Sequence, residues 1–418
     1  MNVVDNYRLK LRGKEYVPIV IGGMGVDIST PELALEAARL GGVGHISDAM
    51  VPYVCDKRFG SSFTANKLKT YKDNINSFDK SKVKFNLEDL HLAQLRHVES
   101  TINDKKGSGA VFVNVMEKLT MADPVNTLRT RLWAALDGGI DGITLSAGLH
   151  NNSLKLIEEH PRFHDAAIGI IVSSPRALKI FLRGAKRSNR LPDYVIVEGP
   201  LAGGHLGFGT DWQQHSLVTI AEEVLALLQG EDLQIPIIAA GGVFTGSDAV
   251  RFLENGISGV QVATRFTITK EAGLSHEAKQ AYFKADESQV AVTCVSPTGY
   301  PLRMLTNSPC LDSNVKPQCE AFGYILDGSG NCQYLDAYQT AYQAGQADAP
   351  ISSKICLCSH FSRASCYTCG HYVYRLKDTS IKDSNGNYQL LTAEHVFKDY
   401  QFGKEDRINL PEPKSAAA

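Results

Sequence analysis

Short apolar runs recur along the chain at intervals filled by longer amphipathic stretches. They are Val17–Ile21, Val43–Ser47, Ala110–Val115, Gly142–Ser146, Ile168–Val172, Tyr194–Val197, Pro236–Ala240 and Gly259–Ala263. Within each run the apolar residues are nearly continuous rather than alternating, as expected of parallel strands buried on both faces. Helical patterns separate many of the runs. Pro31–Leu40 has Ser29 or Thr30 as its cap and proline in its first turn, Pro124–Leu136 stops at Gly138-Gly139, and Ser247–Leu253 stops at Asn255-Gly256.

Eight strand-then-helix units over about 250 residues predict an α/β fold, a closed (β/α)8 TIM barrel, in preference to an open doubly wound sheet. Nearly every strand ends in a glycine, serine or other small residue able to line a shared mouth. One connection is too long for a simple turn and predicts an insertion after strand 2, about residues 48–109, over that mouth; it includes a helical stretch at Leu87–Glu99. The insertion suits either pocket shaping or an oligomer contact, which leaves room for a homodimer. The expected organisation is a barrel over 1–305 followed by a cysteine-rich C-terminal extension over 306–418.

The chain has 418 residues, 43% of them hydrophobic, and 43 Lys+Arg against 45 Asp+Glu for a net charge of −2. Such a balance gives no basic footprint for nucleic acid, so the expected partner is a small-molecule substrate. No apolar run approaches the ~20 residues of a membrane span, and the first residues lack a signal-peptide core. A cytoplasmic location follows as the default, and there the 9 cysteines are expected to be reduced, metal-bound or redox-active.

Two glycine turns carry the candidate chemistry. After the Tyr194 strand comes Glu198-Gly199-Pro200-Leu201-Ala202-Gly203-Gly204-His205, which sets an imidazole able to exchange protons near neutral pH on a turn that lets backbone approach a ligand. After the next strand, Gly241-Gly242 opens a helix start at Ser247-Asp248, and the eighth strand ends in Ala263-Thr264-Arg265. Amides at two consecutive strand ends, with a hydroxyl and a cation, predict a phosphate cradle where barrel enzymes concentrate such sites. There is no G-x-x-x-x-G-K-[ST] loop, and Gly22-Gly23-Met24-Gly25 lacks the third glycine of a dinucleotide fingerprint.

Taken together, Gly22-Gly23-Met24 with Ser29-Thr30-Pro31-Glu32-Leu33, Gly41-Gly42-Val43-Gly44, Glu198-Gly199 with Ala202-Gly203-Gly204-His205, and Ala239-Ala240-Gly241-Gly242 with Gln261–Phe266 resemble the superfamily of nitronate monooxygenases (2-nitropropane dioxygenases) and FMN-dependent enoyl-ACP reductases. Order and spacing agree from Val17 to Asn307. The resemblance implies an FMN-binding barrel in which Gly22, Gly23 and Met24 pass the isoalloxazine and Asn114 approaches its polar edge. It places Gly203 and Gly204 at the ribityl or phosphate region and Gly241, Gly242, Ala263 and Thr264 at the phosphate. Glu198 and Gln261 join the cofactor-binding set, and His205 matches the catalytic histidine. Where relatives carry glutamine before the first Gly-Gly and Glu-Ala before Gly-Gly-His, this chain has Ile21 and Leu201-Ala202. The Gly299-Tyr300-Pro301-Leu302-Arg303 stretch echoes a G-x-P-x-R pattern that follows the barrel in many relatives, and Ser296-Pro297-Thr298-Gly299 is as close to the reductase branch as to the monooxygenases.

The function implied is FMN-dependent oxidation of a nitronate or similar carbon acid by O2. The alternative on the same scaffold is an NAD(P)H-dependent enoyl-thioester or quinone reductase; the non-enzymatic alternative is a flavin-binding partner protein with a metal-clipped tail. An inosine-monophosphate dehydrogenase type of barrel would need a nucleophilic cysteine after strand six, where this chain has His205 and no cysteine before Cys294. In the tail, Cys356-Leu357-Cys358 and Cys366-Tyr367-Thr368-Cys369 predict a four-ligand site for zinc or an iron–sulfur cluster. Two alternatives stand beside it, small buried thiols without metal and disulfides formed on oxidation.

Overall fold

A computed structural model describes residues 1–117, 122–323, 327, 330–346, 348–403 and 408–412. Eight parallel strands close into a barrel: β1 (Ile19–Ile21), β2 (Val43–Ser47), β3 (Ala110–Met116), β4 (Gly142–Ser146), β5 (Ala167–Val172), β6 (Tyr194–Glu198), β7 (Ile237–Ala240) and β8 (Gly259–Val262). Each of the eight apolar runs forms one of them. The last strand pairs with the first, Val260 opposite Ile19 and Val262 opposite Ile21, which removes every sheet edge.

Local chemistry sets the helix starts. Thr30 Oγ1 accepts the Leu33 amide at the start of Pro31–Arg39, and Asp123 accepts the Asn126 amide ahead of Pro124–Asp137, with proline in the first turn of both. The predicted start at Ser247 lies one residue inside Gly246–Glu254, because Thr245 and Asp248 form a reciprocal capping box. Inside the barrel Val20, Val43, Phe112, Tyr194, Ile196 and Ile238 pack together with Leu9, Leu11 and Tyr16 of an N-terminal hairpin. His45 is fully buried there, with Nδ1 2.8 Å from the Ile21 carbonyl and Nε2 2.6 Å from Thr144 Oγ1. Burial pushes its pKa down to about 4.

The long connection after β2 begins with helices Val51–Phe59 and Phe63–Thr70. Its final part, helix Leu87–Asn103, is capped by Asn86 and packs on Pro124–Asp137, so it belongs to the outer ring of helices rather than to a lid. Met50, Val51 and Cys55 instead share a cluster with Leu302, Met304, Cys310, Leu357 and Cys366. Insertion and extension therefore meet beyond the carboxyl end of β2.

The residues after 305 do not hang from the barrel. Helix Ala393–Phe402 packs against Pro31–Arg39 and Gly246–Glu254, and Val396, Phe397 and Tyr400 are fully buried in one cluster with Ile19, Val260 and Phe266. Gly42 permits this, since a Cβ there would lie 2.7 Å from the Phe397 ring. The extension also contains helix Gln333–Gln343, anchored by buried Tyr334 and Leu335. Among the described residues no helix is long and apolar enough to cross a membrane.

Candidate active site

The carboxyl ends of β6, β7 and β8 lie level with one another, since Ala240 is opposite both Glu198 and Gln261. Gly22 follows β1 and donates its amide to the Val262 carbonyl at 3.0 Å, which keeps the Gly22-Gly23 turn against β8. A Cβ on Gly22 would lie 3.0 Å from the Gln261 side chain and one on Gly23 2.5 Å from Asn114 Cβ. The absence of side chains thus lets the turn run between Gln261 and Asn114. Met24 donates its amide to Ser29 Oγ at 2.7 Å, and Ser29 Oγ donates in turn to the Gly22 carbonyl. The structure therefore brings Gly22, Gly23, Asn114, Glu198 and Gln261 to one mouth. Gln261 Oε1 is buried there without a hydrogen-bond partner, an acceptor whose isolation would be costly unless a ligand meets it.

Gly241 and Gly242 take φ values of +89° and +101°, which residues with a Cβ rarely adopt. They line a cavity of about 360 Å³ with Pro200, Leu201, Trp212 and His215. Ser216 and Leu217 also face it, at the start of helix Leu217–Gly230, whose N-cap makes no side-chain bond to the first turn. Two glycine amides and a free helix N-terminus make that cavity suited to an anion.

The eighth strand end departs from the expectation. Arg265 is fully buried, forms an ion pair with Asp399 of the last helix, and lies over the Tyr400 ring at 5.3 Å. It faces the core, so the predicted phosphate cation is a structural charge. Ala263 opens the turn Thr264–Phe266, and Thr264 Oγ1 lies 2.3 Å from where a Gly370 Cβ would stand. Gly203 is backed in the same way by the Cys369 and Gly370 backbone, at 2.7 Å from its would-be Cβ, whereas Gly204, at φ +68°, faces open space. The tail segment Cys369-Gly370-His371 thus covers the turn that carries the histidine, and His371 donates its amide to the Leu201 carbonyl at 3.1 Å.

Gly204 and His205 form a two-residue strand paired with Leu302–Leu305, which itself pairs with Val290–Thr293. The connection between those two strands brings Ser296 Oγ to 2.7 Å from His205 Nε2, and Ser296 Oγ is 2.7 Å from Thr298 Oγ1. His205 keeps some exposed surface, but its ring is enclosed and burial pushes its pKa down to about 4. Above that pH the imidazole is neutral, hence able to accept a proton.

Behind the turn, Arg303 Nη1 donates to the Pro200 carbonyl at 2.8 Å and to the Ala202 carbonyl, with the guanidinium carbon 4.4 Å from the Trp212 ring. Its burial is complete and lowers its pKa to about 10, while nearby Cys369 and Glu198 act in the opposite sense. Burial raises the Glu198 carboxyl to about 7, against the lowering effect of Arg303. Ser296, Thr298 and Arg303 were visible in sequence only as fragments of the S-P-T-G and G-x-P-x-R patterns. Nothing local there shows that a hairpin returns to the sixth strand end.

The four cysteines expected to bind metal are not gathered. Cys366 shares a thiol hydrogen bond with Cys310, Cys369 lies beside Arg303, and Cys356 and Cys358 line a small cavity with Cys319 and Cys332. Among the described residues no group of three or more His, Cys, Asp or Glu is placed to hold a metal ion. The sequence spacing misled because Cys366 meets Cys310 and Cys369 meets Arg303, while Cys356 turns towards Cys319 and Cys332.

A family model described as nitronate monooxygenase matches residues 9–327. A probable nitronate monooxygenase of Staphylococcus saprophyticus is 26% identical over 294 residues, covering 69% of this chain and 76% of the relative. The nitronate monooxygenase of Pseudomonas aeruginosa is 30% identical over 140 residues, only 33% of this chain and 39% of that one. Among solved structures, nitroalkane oxidase from Streptomyces ansochromogenes matches with a TM-score of 0.56 at 16% identity, over 92% of this chain and 94% of that chain. FabK from Thermotoga maritima matches with a TM-score of 0.54 at 17% identity, over 92% and 91%. At those identities the two structures bear on the fold.

Proposed function

Because the chain belongs to the nitronate monooxygenase family, we propose that it is an FMN-dependent oxidoreductase that oxidises a nitronate or similar carbon acid with O2. The observation that carries this reading is a neutral, enclosed His205 ring, fixed at Nε2 by Ser296, beside a mouth whose glycine turns leave room for a ligand. The residues present fit a flavin mononucleotide. Gly22, Gly23, Met24, Asn114, Glu198 and Gln261 would hold its ring, with the unpartnered Gln261 Oε1 offered to a ring N–H. Gly241 and Gly242, with Ala263, Thr264, Gly203 and Gly204 around them, would hold its phosphate end. When bound, FMN supplies the electron acceptor for the carbon acid and the means of passing electrons to O2.

The chain's own contribution is to bind, orient and move a proton. With Nε2 held by Ser296, Nδ1 is the atom His205 presents to substrate, and a ring that stays neutral above about pH 4 can take a proton from an acidic carbon or hydrogen-bond an anion's conjugate acid. Arg303 fixes the carbonyls of Pro200 and Ala202, so the turn bearing His205 keeps one shape. Glu198, whose carboxyl burial raises to about 7, can hold a proton at the end of the strand that leads into this turn.

An anaerobic spectrum of the purified protein tests the proposal. A flavin absorbance that bleaches on adding a nitronate without nicotinamide supports it. A flavin that no nitronate bleaches, but that NADH or NADPH bleaches fast enough for turnover, refutes it and assigns a reductase.

A further inference from the structure

The tail thiols separate into two groups with different surroundings. Cys319, Cys332, Cys356 and Cys358 line one cavity. Cys310 and Cys366 do not line it; they lie in the adjoining cluster beneath the insertion, against which Cys358 also packs, with Cys310 fully buried and Cys366 4% exposed. Their two chain segments are tied together on both sides of the sulfurs. Ser308 Oγ donates to the Ser365 carbonyl at 3.2 Å and accepts the Tyr367 amide at 2.9 Å, while the Leu305 amide donates to the Tyr367 carbonyl at 3.0 Å. Ser308 Oγ also lies 3.1 Å from Cys310 Sγ. The two thiols thus lie beside one another, between chain segments that these hydrogen bonds hold together.

We propose that Cys310 and Cys366 form an oxidant-sensitive dithiol, an assigned site of reversible modification that hydrogen peroxide converts to a disulfide. In the first step Cys310 sulfur attacks one peroxide oxygen, the O–O bond breaks, and water leaves with Cys310 as the sulfenic acid. In the second, Cys366 sulfur attacks that sulfur, the S–O bond breaks, and a second water carries away the Cys366 proton. Two thiols and one peroxide give one disulfide and two waters, with two electrons moved from sulfur to oxygen.

The surroundings divide the roles. The Cys366 thiol and Ser308 hold Cys310 below the ordinary thiol value, and the same contact together with burial pushes Cys366 well up. Burial instead raises Cys55, Cys319, Cys332, Cys356 and Cys369. A thiolate-favouring sulfur next to one that keeps its proton is the arrangement of an attacking and a resolving cysteine. Closure needs only that the sulfurs move from hydrogen-bond contact to the ~2.05 Å of a disulfide. The segment that carries Cys366 continues to within one strand of His205, since Cys369 donates its amide to the Arg303 carbonyl and Arg303 pairs with Gly204.

The test uses the full-length protein as purified under reducing conditions. After limited hydrogen peroxide, the chain is denatured, alkylated and digested without reduction, and cross-linked peptides are identified by mass. The expected product is a single linkage of the Cys310 and Cys366 peptides, lighter than the dithiol pair by two hydrogens and lost on adding dithiothreitol. In Cys310→Ser no such linkage forms, and Cys366 is recovered alkylated. A first linkage within the Cys319, Cys332, Cys356 and Cys358 group would overturn the proposal. So would full alkylation of Cys310 and Cys366 after other thiols have oxidised. Because the linkage is mapped in the wild-type chain, the outcome does not depend on the variant's folding.

Discussion

Asp399→Ala should be among the most damaging single changes in the chain, although it lies in the last helix and away from the proposed site. Asp399 is 2% exposed and Arg265 fully buried, and the two form an ion pair between the turn after β8 and the last helix. Removing the carboxylate leaves a guanidinium sealed beside the Tyr400 and Phe244 rings with no anion, which costs about 3–5 kcal/mol. It also frees the Asn409 amide and side chain, which donate to Asp399 Oδ1 at 2.9 and 2.8 Å, a further loss of about 1 kcal/mol per bond. Against a typical total of ~5–15 kcal/mol, most of the stability is at stake. Urea unfolding followed by far-UV circular dichroism should show the whole transition moved to lower denaturant. The companion Arg265→Met/Asp399→Leu should recover most of the loss, because an apolar pair needs no compensating charge. A single variant within about 1 kcal/mol of the parent, or a double variant as unstable as the two singles added, would show that the pair is not the buried, desolvated contact described.

His205→Ala should lower kcat for nitronate oxidation by roughly 10²–10⁴-fold while leaving the flavin spectrum in place; steady-state rates on flavin-loaded protein check it, and unchanged turnover would remove His205 from the chemistry. Gly242→Ala should lose flavin on gel filtration, because φ is +101° and the new Cβ would lie 3.0 Å from Leu201 Cδ1, a strain of about 1–3 kcal/mol; full flavin retention would count against the cradle. Stability should fall on acidification between about pH 6.5 and 4. Burial holds His45 and His97 at about 4, so only the unfolded chain binds their protons in that window, at roughly 1.4 kcal/mol per pH unit for each histidine. Urea midpoints at about pH 7.5, 6 and 5 measure the slope, and equal midpoints would contradict it.

The barrel was legible because strands buried on both faces must be apolar throughout, and each of the eight is short and bounded by small residues. Helix starts were legible for a related reason: Thr30 and Asp123 act on amides three residues away, so the signal is local. What escaped the sequence was everything decided at long range. Arg265 read as a free cation because its partner is Asp399, far along the chain in a helix whose own pattern says nothing about a charge. The cysteine spacing suggested one site, whereas the backbone sends Cys356 towards Cys319 and Cys332 and Cys366 towards Cys310. His205 was found through its glycines, but Ser296, which fixes its ring, arrives on a hairpin whose return path no local pattern specifies.

The docking of the last helix also constrains how the chain can be made. Val4 and Asp5, made before the barrel strands, rest against a helix made well after them: Val4 lies in the cluster of Phe397 and Tyr400, and Gln401 Nε2 donates to Asp5 Oδ1 at 2.8 Å. Even after β8 has emerged and met β1, about 140 residues remain to be translated before Phe402, or roughly 7–30 s at usual elongation rates. During that interval the surface around Gly42 that receives Phe397 stands open, a greasy seam on a barrel already closed. The nascent protein should therefore bind a holdase chaperone until helix Ala393–Phe402 is released, and premature termination before that helix should yield aggregates rather than a shorter enzyme.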